Sequence, residues 1–167
     1  MRVALAVAVP LAAAILQGSV APNIALGGAR PNLVVLVAAA WAVAVGAREA
    51  VWWAFLGGLA VDLLSGGPLG ASAFSALIPV AAVGLGDRSL RPRSGPVAAL
   101  LVAAATLGAG ILYLGTLIVV GAAVGDLALI VAAAVSSAIY NGVLALFAYP
   151  LFRALRRSTE KQASFGW

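Results

Sequence analysis

Residues 57–74 read GGLAVDLLSGGPLGASAF, eighteen residues in which Asp62 is the sole charge. The flanks of this stretch are small and apolar. Its centre, Ser65-Gly66-Gly67-Pro68-Leu69-Gly70, is a turn by composition, because glycine admits positive φ and proline fixes φ near −65°. The stretch therefore predicts two apolar helices joined by a tight reversal. Asp62 lies close to that reversal and is the residue that needs explaining.

The rest of the chain sets the medium. Of 167 residues, 64% are hydrophobic and only 9% are charged, against roughly 25% charged in soluble domains. So few charges cannot cover a soluble domain of this size, and a bilayer fits. The sequence contains no cysteine and no histidine. Disulfides, thiolate metal sites and the commonest general base are thereby excluded. No cofactor or metal is expected.

Charges and Gly/Pro clusters divide the chain into six apolar segments, near 3–20, 32–47, 50–65, 70–86, 96–120 and 127–151. The expected fold is an all-α polytopic membrane protein of about six spans over 1–151, followed by a basic cytoplasmic tail over 152–167. The second and third segments are short against the roughly 17–25 residues of a span. A five-span arrangement, with those two forming a hairpin that does not fully cross, is the alternative. With the N-terminus inside, the cytoplasmic side holds Arg2, Arg48, Arg88, Arg91, Arg93, Arg153, Arg156, Arg157 and Lys161, and the outside holds Arg30 alone. This split follows the positive-inside rule and places both termini in the cytoplasm. Pro22 after Ser19–Ala21 opposes signal-peptide cleavage, so the first segment is expected to be retained.

A carboxylate facing lipid at the depth of Asp62 costs on the order of 2.5–3.5 kcal/mol, so Asp62 should face protein or a water pocket. The preferred expectation is a structural ion pair with Arg30, which precedes Pro31 and Asn32 at the same end of the hairpin. The plainer alternative is an anchor that binds backbone amides of the Ser65–Gly70 turn. The sharper alternative is a proton or cation site. Ala54 and Gly58 share the helix face of Asp62, and Ala104 and Gly108 are likewise four apart. Small faces of this kind let helices or partners approach closely. Ser137 and Asn141 form a polar face within the sixth segment, suited to helix or subunit packing or to a ligand pocket. Trp52 and Trp53 follow Arg48 and Glu49 as expected interface anchors, and Trp41 is expected to pack between helices. In the tail, Arg153, Arg157 and Lys161 share one helical stripe, expected to meet lipid or an acidic partner. Nucleic acid is not an expected partner, since the bases sit at membrane edges.

The run Gly58-Leu59-Ala60-Val61-Asp62-Leu63-Leu64-Ser65-Gly66-Gly67-Pro68-Leu69-Gly70, with Pro31-Asn32-Leu33 and Arg48-Glu49 before it, resembles the family of the bacterial rod shape-determining protein MreD. Members often carry Pro-Asp-Leu where this chain has Pro31-Asn32-Leu33. The resemblance implies a non-enzymatic scaffold in the inner membrane, within the cell-elongation machinery of peptidoglycan synthesis. It implies MreC, a single-span protein, as partner, in a wider assembly with MreB, a peptidoglycan polymerase and a transpeptidase. It also implies a fold similar to the substrate-binding subunits of energy-coupling-factor vitamin transporters, which makes such a subunit the alternative function. Self-association stays open.

Overall fold

A computed structural model describes residues 2–26, 29–85 and 94–163. The described residues form six α-helices: α1 (Arg2–Ser19), α2 (Leu33–Ala44), α3 (Ala47–Ser65), α4 (Ala71–Leu85), α5 (Gly95–Val119) and α6 (Leu127–Ala163). An isolated bridge between Leu26 and Ala29 is the extended pairing among them. Five of the expected segments agree with these helices to within three residues. The sixth does not stop near 151. Past Pro150 the sequence Leu-Phe-Arg-Ala-Leu-Arg-Arg contains good helix formers and no glycine, so α6 continues through 37 residues and the helical stripe expected in the tail belongs to its last three turns. Arg88, Arg91 and Arg93 lie outside the described residues.

Helix α2 is the centre of the molecule. It packs against α1, α3, α4, α5 and α6. Nine of its twelve residues are buried, which is why its sequence is apolar on every face rather than on one stripe. Val35, Ala39, Ala42, Trp53, Val80, Val102 and Ala145 form the core around it. At 1.5 Å per residue, α2 is about 18 Å long and α4 about 22 Å, short of a hydrocarbon core of roughly 30 Å. Two helices, α5 and the Leu127–Arg156 part of α6, are long and apolar enough to cross a membrane.

The antiparallel pair α3/α4 is in backbone contact at both ends. A Cβ on Gly58 would lie 2.4 Å from Ala73 Cα, and one on Gly84 would lie 2.7 Å from Ala47 Cα. Only glycine permits this separation. Large apolar side chains are exposed around the outside of the bundle, among them Leu5, Ile15, Phe74, Leu100, Ile111, Leu129, Ile139 and Phe147. That perimeter suits lipid.

Candidate functional site

The polar groups gather at the end of the bundle where α2 and α4 begin. Gly66 caps α3 in the left-handed conformation at φ 68°, with its N–H on Asp62 O, and Gly70 enters α4 at φ 88°. These two reversals bring the first amides of α4 back over the last turn of α3. Asp62 is there to receive them. Its Oδ2 accepts from Gly70 N at 2.9 Å, and both carboxylate oxygens accept from Ser72 N at 3.1 Å. The side chain is 2% exposed. The carboxylate thus caps α4 from a neighbouring helix and meets the positive end of its dipole. Gly58, one turn earlier on the same face, lets the α4 backbone come close enough for this.

The expected ion pair between Asp62 and Arg30 is not formed. Arg30 is exposed, and the acid's bonds go to amides, which supply positive charge without burying a guanidinium. The plainer alternative, an anchor for the turn, describes the geometry.

A second polar centre closes the start of α2. Asn141 of α6, 0% exposed, accepts from Asn32 N at 3.2 Å through Oδ1. Its Nδ2 donates to Asn32 O at 2.8 Å and to Thr106 Oγ1 of α5 at 3.0 Å. The Asn32 side chain caps α2 by accepting from Val35 N at 3.1 Å, and Gln17 Oε1 of α1 accepts from Leu33 N. Amides at the starts of α2 and α4 are therefore answered in part by other helices, Leu33 N by Gln17 and Gly70 N and Ser72 N by Asp62. Tyr140 Oη secures the preceding loop by donating to Ile24 O at 2.9 Å.

Between these two centres lies a cavity of ≈ 250 Å³, whose polar lining is Gln17, Asn32, Ser65, Ser72, Ser75 and Tyr113. Gln17, Thr106, Ser72 and Tyr113 were not among the residues expected from sequence. Their signal was available, since each is one of the few polar residues in a mostly apolar helix.

The small faces are used inside the chain. Ala54 is fully buried, Gly58 meets Ala73, and a Cβ on Gly108 would lie 3.3 Å from Pro79 Cγ. Ala104 is exposed on α5. Asn141 faces inward, and Ser137 is half-buried without a hydrogen bond among the described residues.

At the opposite end, the two tryptophans separate. Trp52 is 52% exposed and stacks near Phe55, as an interface anchor would. Trp53 is 5% exposed, so the anchor expectation fails for it. Adjacent helix residues point about 100° apart, and Trp53 shares the inward face of Ala50 and Ala54. It stacks on Trp41 at 4.7 Å, and both rings meet Phe152 edge-on. Trp41 packs between helices as expected and donates to Glu49 Oε2 at 3.2 Å. Arg156 Nη1 donates to Ala44 O at 3.0 Å, closing the C-terminus of α2 with a cation. Arg153 is half-buried; the side chains of Arg157 and Lys161 lie outside the described residues.

Among the described residues no three of His, Cys, Asp and Glu come together. Asp62 directs its lone pairs at backbone amides, so its chemistry is that of a cap. No curated protein and no solved structure matches the chain. A family model described as rod shape-determining protein MreD matches residues 1–159, which includes all six helices up to the last turn of α6. A membrane role in determining rod shape follows from that match, because the chain belongs to the family of the rod shape-determining protein MreD.

Proposed function

We propose that the protein is a non-enzymatic scaffold subunit of the cell-elongation complex, crossing the inner membrane six times with both termini in the cytoplasm. The observation that carries this is the family match over residues 1–159. The apolar perimeter of the bundle supports membrane residence. The split of basic residues supports the orientation. The short helices α2 and α4 count as spans in this reading because Gln17, Asn141 and Asp62 of other helices help to cap their buried starts.

The proposed partner is an MreC-like single-span protein, and through it the assembly of MreB, polymerase and transpeptidase that serves peptidoglycan synthesis. Because Ala54, Gly58 and Asn141 face inward, the partner surface belongs on the perimeter, where Ala104 of α5 is exposed. Membrane lipid covers the remainder. Copurification from native membranes tests this. A stoichiometric single-span protein that is lost on Ala104→Trp, while the variant still inserts, is the expected result. Undiminished partner in Ala104→Trp moves the contact off α5, and no partner in the unmodified protein removes the scaffold reading. A reporter active only in the cytoplasm, fused after Trp167, should be active.

The alternative is a substrate-binding subunit of an energy-coupling-factor vitamin transporter. The cavity is the observation in its favour, but Tyr113 is the one aromatic among the lining residues. A vitamin-like molecule retained through copurification would favour that alternative.

A further inference from the structure

We propose that the cavity at the start of α2 and α4 is a binding site for a small uncharged molecule rich in hydroxyl groups, about one sugar ring in size. The inference is independent of the partner reading, since it concerns a face of the interior rather than the perimeter.

Charge is the first constraint. The polar lining consists of hydroxyls and amides, with no lysine, arginine or acid among the lining residues. The helix starts beside the cavity make a poor anion site, because four of their amides are already bonded. Gly70 N and Ser72 N are bonded to Asp62, Val35 N to Asn32, and Leu33 N to Gln17. Asp62, turned toward the Gly70 and Ser72 amides, is not among the lining residues, so no carboxylate lines the cavity for a cation. A neutral occupant remains.

Hydrogen-bonding capacity is the second. Gln17 uses Oε1 on α2 and keeps its Nε2 donor. Ser65 and Ser75 donate to Asp62 O and Ser72 O, so their oxygens are left as acceptors. The Ser72 and Tyr113 hydroxyls have no hydrogen bond among the described residues, and a hydroxyl both donates and accepts. The lining thus offers both donors and acceptors to one space. The ligand group that answers both is itself a hydroxyl.

Shape is the third. A volume of ≈ 250 Å³ is below the roughly 300–1,000 Å³ of drug-sized sites and holds a single small ring. The wall also has an apolar part, Val35 and Ala109. The C–H face of a pyranose suits that surface, with its hydroxyls toward the polar side. Such a ring could come free from solution or as the headgroup of a glycolipid.

The test uses the full chain, purified without glycoside detergents, whose headgroups would compete, and placed in phosphatidylethanolamine nanodiscs. Equilibrium dialysis with radiolabelled glucose should show saturable binding near one per chain. Citrate and spermidine should not compete. Tyr113→Phe, which removes one oxygen, should weaken binding about tenfold and leave the unfolding midpoint unchanged. Val61→Phe, which narrows the cavity from α3, should abolish it. Discs that also contain monoglucosyl diacylglycerol separate the sources: loss of glucose binding means the lipid headgroup enters, and unchanged binding means the free sugar does. Absence of saturable glucose binding in the phosphatidylethanolamine discs overturns the proposal. So does binding that Tyr113→Phe leaves intact, or that citrate displaces as well as glucose does.

Discussion

Replacing Asp62 decides between a cap and an ion pair. Asp62→Ala leaves the amides of Gly70 and Ser72 without their acceptor, in a place that is 2% exposed. A stranded buried donor costs about 1–3 kcal/mol, so the two together cost about 2–6 kcal/mol. Against a typical stability of about 5–15 kcal/mol, that is a large share of the total. Asp62→Asn keeps one oxygen for one amide and turns an NH2 toward the other, which should cost about half as much. Arg30 is exposed and outside this network, so Arg30→Gln should fall within about 0.5 kcal/mol of zero. The assay is unfolding in mixed detergent, followed by tryptophan fluorescence for the four proteins and the double variant. The cap predicts a large effect at Asp62, almost none at Arg30, and additivity between them. Equal losses at both positions with strong coupling would show that the guanidinium is the acid's partner and that the amide bonds are secondary.

Three further outcomes follow from the same geometry. Gly58→Ala should lose about 1–3 kcal/mol by pushing α4 away, while Gly18→Ala, with nothing within 4 Å of the added carbon, should be neutral or stabilising in the same assay. Asn141→Ala should lose about 1–3 kcal/mol because Asn32 N is left without an acceptor; a loss below about 0.5 kcal/mol, the scatter of surface changes, would refute its part in closing the start of α2. Trp53→Ala should cost about 3–5 kcal/mol and abolish the near-ultraviolet signature of the Trp41–Trp53 stack, whereas Trp52→Ala should change membrane partition and leave that signature in place.

Much of this architecture is legible in the residues. The six helices follow from apolar runs broken by Gly/Pro clusters, and the burial of Asp62 follows from the cost of a charge in lipid. What a single sequence withholds is which neighbour answers a polar group. Asp62 and Arg30 are natural partners by sign, yet backbone amides carry no letter in the sequence, and the α4 amides were the nearer donors. Asn141 and Asn32 are 109 residues apart, and nothing in either segment specifies the other. The same limit separates Trp52 from Trp53: composition marks both as anchors, and only the rotation of α3 about its axis assigns one inward. The helical stripe of the tail was legible as well, but not that it is continuous with the sixth apolar segment through Pro150.

Helix α2 has a consequence for how the chain is made. Its start is closed by Gln17 before it and by Asn141 after it, and its end by Arg156. Two of these three closures are translated more than a hundred residues later. During synthesis the second helix therefore leaves the ribosome with Gln17 and Asn32 able to cap its start but without the closures from Asn141 and Arg156. It must be held, by water, the insertion machinery or the α3 hairpin, until the last helix arrives to lock it. The molecule is thus completed from its C-terminal helix inward, and a nascent chain cut short before Asn141 carries an exposed defect at its very centre, which membrane quality control can read.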